Sequence, residues 1–374
     1  MTDEIYKKLA RHLDELPAGY PSTESGVEIS ILKRLFTPED AELAVHLTPI
    51  PEEGRVIARR AGIDLSEADH RLENLAKKGL IFCIARPGKP PLYMASQYMV
   101  GIWEYQVDCL NEGLIRDMNE YLPTFINADT WKKAPQLRTI PVGRSLDASM
   151  YVLSYEKADE LVRRKRKIRV LPCICRREHA MIGEGCGKSE ETCLVFGSAA
   201  YFYEQRGIGR DIETAECLDI LNRADSEGLV LQPNNAKNIT NICCCCGCCC
   251  QVLIHLKRHS KPAEIVSSPF IAEYHPDSCT GCGVCVDRCQ MGAISLFQDQ
   301  IALDLDRCIG CGLCVSTCPT KSLTLVRKSH EMQKPVPANT MESNIRLARA
   351  RGKMGRVKML KMSLESKWDR WLTR

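Results

Sequence analysis

The feature that most constrains this chain is one cysteine pattern that occurs twice between residues 279 and 318. The spacing C-x2-C-x2-C-x3-C is formed first by Cys279, Cys282, Cys285 and Cys289, and 29 residues later by Cys308, Cys311, Cys314 and Cys318. The register continues past the cysteines, because residues 293–296 align with residues 322–325. Zinc sites take their ligands as two C-x2-C pairs, so triplets followed by a fourth cysteine argue against zinc.

This stretch resembles the bacterial-type ferredoxin that carries two [4Fe–4S] clusters. Three thiolates on one short loop can bind three corners of one cube, and the fourth cysteine of each run binds the other cluster. The resemblance implies one cluster on Cys279, Cys282, Cys285 and Cys318, and a second on Cys308, Cys311, Cys314 and Cys289. One position departs from the pattern, because Pro319 follows Cys318 whereas Gln290 follows Cys289.

Length and cysteine content bound the remaining possibilities. A chain of 374 residues predicts two or three domains. Its beginning does not have the pattern of a signal peptide, and no apolar run approaches the roughly 20 residues that span a bilayer. We therefore expect a cytoplasmic protein, in which the 22 cysteines are metal ligands rather than disulfides.

Residues 1–98 predict a winged-helix domain. Thr37-Pro38 has the form of a helix N-terminus, helices are expected over 52–61 and from Ser66 to Gly79, and two strands over 80–84 and 92–94 flank a proline-rich turn. This order resembles winged-helix regulators. However, residues 1–100 hold 13 Lys and Arg against 15 Asp and Glu, whereas DNA binding requires a basic face. Nucleic acid is therefore an unlikely partner, and a structural or protein-binding role is favoured.

Residues 99–265 predict a linker helix over 100–122, followed by a cysteine-rich metal-binding domain. A strand over 168–171 leads into Cys173 and Cys175, and Cys186 and Cys193 follow on a glycine-rich loop. Four thiolates in this arrangement can hold a third [4Fe–4S] cluster or a zinc ion. Arg176, Arg177 and His179 lie beside them, where they either lower thiolate pKa values or are ordinary loop residues.

Seven of the eight residues from 243 to 250 are cysteines. They cannot all bind one metal, because neighbouring side chains on an extended stretch point to opposite faces. A subset is expected to bind a cluster or to complete the site that begins at Cys173. The candidates are Cys243, Cys245, Cys246, Cys248 and Cys249. Cys217, on a predicted helix over 212–222, is expected to be buried and structural.

Residues 329–374 form a basic tail. From residue 331 onward, 11 Lys and Arg face four Asp and Glu, a balance of +7. Val357, Leu360, Leu364, Trp368 and Trp371 share one helical face. A basic amphipathic helix with tryptophans suits peripheral membrane contact or a partner protein, whereas packing against the acidic remainder of the chain is the simpler and slightly favoured alternative.

These segments together predict an α+β chain. The expected domains are a winged helix (1–98), a linker helix with a cysteine-rich α/β region (99–265), a ferredoxin-like dicluster domain (266–328) and a C-terminal helix within the tail (329–374). The combination resembles a family of iron–sulfur proteins from anaerobic bacteria, which implies electron transfer to or from a redox partner protein. No dinucleotide-binding or phosphate-binding loop is present.

Three functional hypotheses follow from this reading. The first is an electron-transfer subunit or accessory ferredoxin of an anaerobic oxidoreductase. The second is an iron–sulfur redox sensor that regulates transcription. The third is an oxidoreductase with its own site in residues 173–250. The catalytic residues, if there are any, are unknown at this stage.

Overall fold

The computed structural model describes residues 2–353 and 355–373, and it mixes helices with strands, which confirms the α+β prediction. The described chain divides into two compact units. The first contains residues up to 127, residues 205–208 and residues from 344 onward. The second contains residues 128–204 and 209–343. The four domain boundaries expected from the sequence stay a prediction, but this division groups the cysteine-rich and ferredoxin-like segments in the same unit.

Residues 2–127 contain six helices and three strands in the part that the structure describes. These are α1 (Thr2–Asp14), α2 (Val27–Leu35), α3 (Pro38–Ala44), β1 (Glu52–Glu53), α4 (Gly54–Ala61), α5 (Leu65–Lys77), β2 (Ile81–Arg86), β3 (Lys89–Ala95) and α6 (Glu112–Phe125). The strands form an antiparallel sheet in the order β1-β3-β2. The winged-helix assignment itself stays a prediction.

Local capping explains where these helices begin. The Thr37 hydroxyl accepts a hydrogen bond from the Asp40 N–H, and Pro38 occupies the first turn of α3, as the sequence predicted. Ser66, expected to cap the next helix, is not the N-cap, because the Asp64 carboxylate accepts the Ser66 N–H and α5 begins at Leu65. Similarly, residues 52–53 form β1, so the helix expected from residue 52 begins at Gly54.

The long linker helix predicted over 100–122 is wrong. The backbone leaves helical geometry at Gly101, and short turns occupy the stretch up to Gln106. A new helix, α6, begins only where the Asn111 side chain accepts the Leu114 N–H. Of the apolar residues at helical spacing in this stretch, Trp103, Val107 and Leu114 are nevertheless buried in the core, whereas Val100 is exposed.

In the second unit, a five-stranded sheet lies beside short helices and carries most of the cysteine-rich segment. The elements are α7 (Ala128–Lys133), α8 (Ala158–Arg163), β4 (Ile168–Pro172), α9 (Ile174–Met181), β5 (Glu191–Phe196), α10 (Ser198–Gln205), β6 (Arg210–Asp211), α11 (Thr214–Ser226), β7 (Val230–Pro233), β8 (Asn241–Cys245) and α12 (Gln251–Arg258). The strand order is β6-β4-β5-β8-β7, and every neighbouring pair is antiparallel. The α/β label expected for this region therefore needs correction, because parallel strands with helical crossovers define that class.

The ferredoxin-like segment follows in the same unit. It comprises α13 (Pro262–Ile265), β9 (Phe270–Tyr274), α14 (Val284–Arg288), β10 (Ile294–Phe297), β11 (Gln300–Leu303), α15 (Leu313–Ser316) and β12 (Leu323–Arg327). Strands β9 and β12 pair antiparallel, as do β10 and β11. The two halves of the sequence repeat thus form two similar pieces, each with a cysteine loop, a short helix and a strand.

Buried polar contacts join the cysteine-rich and ferredoxin-like segments. The Asp225 carboxylate, at the end of α11, accepts hydrogen bonds from Arg288 of α14 at 3.1 Å and from the Ser316 hydroxyl of α15 at 2.8 Å. Arg144 donates to its other oxygen at 2.6 Å. Since Asp225 is almost fully buried, these partners compensate the cost of burying its charge.

The last two described helices are α16 (Thr340–Ala350), which straddles the boundary between the units, and α17 (Arg356–Leu372). Asp369 of α17 forms ion pairs with Arg59 and Arg60 of α4 at 2.5 and 2.7 Å. The apolar face of α17 is nevertheless open, since Leu360, Leu364, Trp368 and Trp371 are each more than half exposed. The Val357 side chain lies outside the described residues.

Candidate metal centres

One candidate centre is a pocket enclosed by three cysteines of the first run and one of the second. Cys279, Cys282 and Cys285 line it together with Cys318. Gly283 lies between Cys282 and Cys285, directly before α14, and has a left-handed backbone. The structure thus brings together the four residues of the first implied cluster.

A second pocket is lined by the remaining four cysteines of the two runs. Cys308, Cys311 and Cys314 line it together with Cys289 from the first run. Gly310, between the first two ligands, has φ +67°, and a Cβ there would lie 2.1 Å from the Phe270 carbonyl oxygen. Only glycine fits this close approach of the ligand loop to β9. The crossed arrangement implied by the resemblance is therefore present in both pockets.

Hydrogen-bond donors around these pockets point at the sulfur atoms. The Ala293 N–H donates to the Cys289 Sγ at 3.1 Å, and the Ala272 N–H donates to the Cys308 Sγ at 3.5 Å. Burial opposes ionisation of Cys318, but contacts from the Ser322 and Thr320 hydroxyls outweigh it and lower the pKa of this thiol to about 7. Donors placed in this way suit thiolate ligands of an iron–sulfur cluster, so the residues present fit the implied cofactor.

In the cysteine-rich segment, six thiols form a continuous row. Contacts between neighbouring thiols run along the row in the order Cys173, Cys175, Cys250, Cys245, Cys243 and Cys193. We call these six residues the six-thiol group. Cys193 on β5 and Cys243 on β8 are cross-strand partners, so both lie on the same face of the sheet, and Cys245 joins them two residues along β8.

Two helix N-termini also meet the six-thiol group, because Cys173 precedes α9 and Cys250 precedes α12. Contacts from the Cys175 and Cys245 thiols, aided by the N–H groups at the start of α12, hold the pKa of Cys250 well below its usual range despite burial. Contacts from the Cys193 and Cys245 thiols do the same for Cys243. The same contacts, together with burial, hold the pKa values of Cys175 and Cys245 well above the usual range, so the thiolate form is favoured at Cys243 and Cys250 and not throughout the group.

A separate cluster of four thiols lies on the adjoining loops. The Sγ atoms of Cys186, Cys246, Cys248 and Cys249 are all within 4.8 Å of one another. We call these four residues the four-thiol group. Burial opposes ionisation of Cys186, but the Lys188 N–H and the neighbouring thiols lower the pKa of Cys186 to about 7.

The cysteines predicted from the sequence are therefore divided between two groups. Cys173, Cys175 and Cys193 lie in the six-thiol group with Cys243 and Cys245, whereas Cys186 lies in the four-thiol group with Cys246, Cys248 and Cys249. The predicted common ligand set of Cys173, Cys175, Cys186 and Cys193 is thus not gathered in one place. Cys250 is not among the ligands predicted from the sequence, because residues 243–250 were expected to be extended, whereas β8 ends at Cys245 and a turn brings Cys250 back to the site.

Two other cysteines point away from these groups. Cys244 alternates with its neighbours on β8 and is buried on the opposite face of the sheet. Cys217 is fully buried on α11, and burial raises the pKa of its thiol to about 12. Both are core residues, as the sequence indicated for Cys217.

Of the three polar residues flagged beside Cys175, Arg176 lies within the site. Its buried guanidinium donates to the Thr192 hydroxyl at 2.5 Å and to the Cys244 carbonyl at 2.7 Å. Burial disfavours its charge, but nearby thiols of both groups outweigh this and raise the pKa of Arg176 above its usual value. Arg177 instead pairs with Glu190, and His179 contacts Glu178 and the Cys175 carbonyl.

The departure at Gln290 has a structural explanation. Its side-chain oxygen accepts the Gly247 N–H at 2.6 Å, and a Cβ on Gly247 would lie 2.4 Å from the Gln290 carbonyl oxygen. Gln290, which follows Cys289, therefore connects the ferredoxin-like loop to the loop that contains Cys246 and Cys248. A proline has no side-chain oxygen to accept this hydrogen bond.

Comparison with known proteins agrees with the central part of this description. A family model described as a 4Fe-4S dicluster domain matches residues 262–323. No curated protein and no solved structure matches the chain. The matched segment contains all eight cysteines of the two crossed pockets, which supports a ferredoxin-like domain that binds 4Fe-4S clusters. Among the described residues, no helix is long and apolar enough to cross a bilayer.

Proposed function

We propose that this chain is an electron-transfer protein, acting as a subunit or accessory ferredoxin of an anaerobic oxidoreductase. The observation that carries the proposal is the pair of crossed four-cysteine pockets, within a segment that matches a 4Fe-4S dicluster domain. When bound, such clusters accept and release single electrons. A reducing cytoplasm is the proposed location, since cysteines that serve as metal ligands have to be kept from forming disulfides.

The chain's own residues have three tasks in this function. The crossed thiolates hold the two clusters and join the two halves of the repeat. Hydrogen bonds from Ala293, Ala272 and Ser322 to sulfur stabilise negative charge and so tune the reduction potentials. Apolar side chains such as Ile294 and Leu323 pack around the pockets and limit the access of water.

The six-thiol group is the proposed site of a third, polynuclear iron–sulfur cluster. Two features support this assignment. No three of its thiols lie within 4.8 Å of one another in the described residues, so its sulfurs are spread more widely than the ligands of a single ion. It also belongs to the same compact unit as the dicluster segment, and the turn that follows Cys245 contacts that segment through Gly247 and Gln290. Such a cluster would serve as an entry or exit point for electrons.

The regulator hypothesis is less well supported. On α5, the candidate recognition helix, Arg71 pairs with Glu67 and Lys77 pairs with Glu73, and Lys78 at its end pairs with Asp40. These bases already have carboxylate partners, whereas phosphate binding requires bases that are available to DNA. Nucleic acid is therefore not a proposed partner. The proposed partner is a redox protein. Peripheral membrane contact through residues 340–374 stays a prediction.

Electron transfer can be tested directly with the full-length protein under anaerobic conditions. We expect the chain, once reduced with dithionite and separated from the excess reductant by gel filtration, to pass its electrons to oxidised cytochrome c without any added substrate. Cys282→Ser and Cys311→Ser, combined in one chain, should remove most of this activity. Cys109→Ser, at an exposed thiol outside all of the sites, should leave it unchanged. Transfer that survives the double substitution would contradict the proposal.

A further inference from the structure

We propose that the four-thiol group holds one tetrahedral zinc ion, separate from the iron–sulfur clusters. This site is independent of the electron-transfer proposal, because it uses none of the ligands assigned there. The group consists of Cys186, from the loop after α9, and Cys246, Cys248 and Cys249, from the turn between β8 and α12.

The first argument is the distance between the sulfur atoms. A tetrahedral zinc ion with Zn–S bonds of about 2.3 Å holds its sulfurs about 3.8 Å apart. The Cys186 and Cys246 Sγ atoms are 3.9 Å apart, and so are those of Cys248 and Cys249. A four-iron cube binds each thiolate at a different iron, so its ligands must diverge further. The observed spacing therefore fits a single ion.

The ferredoxin-like segment of the same chain provides an internal comparison. Its eight cysteines line two pockets that fit clusters, yet among the described residues no three of them lie within 4.8 Å of one another. The four-thiol group meets that criterion with all four of its sulfurs. The Sγ atoms of the four-thiol group are therefore closer together than those of the ferredoxin-like pockets in the same chain.

The second argument concerns the loop that carries Cys186. Every residue from 180 to 187 is exposed except Cys186, so this loop has almost no apolar packing of its own. Beyond it, Lys188 and Ser189 are held by hydrogen bonds to Glu227. A metal bond between Cys186 and the turn 60 residues away would fix the loop, because binding energy at a structural metal site is also folding energy.

The choice of zinc follows from the donor set. Four thiolates around one position leave no open coordination site, which is typical of structural zinc. The Arg176 side chain contacts Cys246 and offsets part of the negative charge of such a site. Since zinc does not change its oxidation state, the ion would hold the turn that contacts Gln290 without taking part in electron transfer.

The test is metal analysis of the full-length chain, produced anaerobically with both iron and zinc supplied. We expect about one zinc per chain in addition to the iron. Cys186→Ser and Cys248→Ser should each lose the zinc while keeping the iron, the sulfide and the EPR spectrum of the clusters. Cys243→Ser, in the six-thiol group, should keep the zinc and lose only the iron of the third cluster. Cys217→Ala is the matched control and should keep both metals.

Cobalt substitution provides a measurement that does not depend on a variant folding. Cobalt in the wild-type chain should show the absorption of tetrahedral cobalt bound to four thiolates. The proposal is overturned if the wild-type chain holds no zinc, or if the zinc persists in both Cys186→Ser and Cys248→Ser and is therefore adventitious. Loss of cluster iron from these two variants would also overturn it, whereas absence of iron from the wild-type chain would contradict the electron-transfer proposal instead.

Discussion

The residue that shows most clearly how side chains tune these centres is Ser322. Its hydroxyl lies 3.2 Å from the Cys318 Sγ, and it contributes to the lowered pKa of that thiol. A hydrogen bond to sulfur stabilises the more negative, reduced state of a cluster and so raises its potential. The Thr320 hydroxyl, at 3.7 Å, makes a weaker contact with the same atom.

Ser322→Ala should therefore lower the potential of one ferredoxin cluster and leave the other unchanged. A lost bond of about 1 kcal/mol corresponds to tens of millivolts, because a tenfold change in a one-electron equilibrium is about 59 mV. Protein-film voltammetry of the full-length chain measures the shift. Thr320→Val should give a smaller shift, and Ser295→Ala, at an exposed position on β10, none. Equal shifts in all three variants would contradict this assignment.

At the residue scale, the sequence predicted the site residues that follow a regular local spacing. The eight ferredoxin cysteines follow one fixed pattern, and they line two pockets in the two sets that the resemblance implied. The role of Gln290 could not be predicted, because its partner Gly247 is 43 residues away in the sequence. Cys250 was missed for a similar reason, since its place depends on a turn rather than on strand alternation.

At the scale of elements, the contact between two loops is the feature most open to test. Gly247 approaches the Gln290 backbone so closely that any side chain at position 247 would meet it. Backbone atoms yield less readily than the end of a flexible side chain, so the loops would have to separate. That movement would disturb both the four-thiol turn and the loop after Cys289.

Gly247→Ala should destabilise the second unit by about 1–3 kcal/mol, the usual cost of overpacking. Anaerobic thermal unfolding measures the loss, and EPR should show a change at the cluster that Cys289 binds. Gly143→Ala is the matched control, because it lies in the same unit with open space around it and without a left-handed backbone. A Gly247→Ala chain as stable as the control would show that the loops do not meet as described.

Elements with strong local signals were predicted well, and those that depend on distant partners were not. The cap at Thr37 and the strand that leads into Cys173 occur where the sequence indicated. The linker helix failed because helical periodicity between residues 100 and 122 reports burial but does not reveal the break at Gly101 or the new cap at Asn111. The antiparallel order of the five-stranded sheet depends on pairings that no local pattern encodes.

At the scale of the whole molecule, the sequence indicated the kinds of segment that the chain contains, but not which segments lie in the same compact unit. The expected boundary between the ferredoxin-like domain and the cysteine-rich domain stays a prediction, and the two segments lie in one compact unit. Asp225, which joins α11 to α14 and α15, is an ordinary acidic residue in the sequence. Its burial and its partners depend on tertiary packing, so neither could be read from the chain alone.

The central claim is that this chain carries electrons through a dicluster domain and a third cluster on the six-thiol group. Iron and sulfide analysis with an EPR-monitored redox titration of the full-length protein tests it most directly. We expect about eight iron atoms from the dicluster domain and about four more from the third cluster. Cys173→Ser combined with Cys175→Ser should remove only the additional iron and its signal. A wild-type chain with only the dicluster iron, or a double variant that keeps the full iron content, would contradict the account.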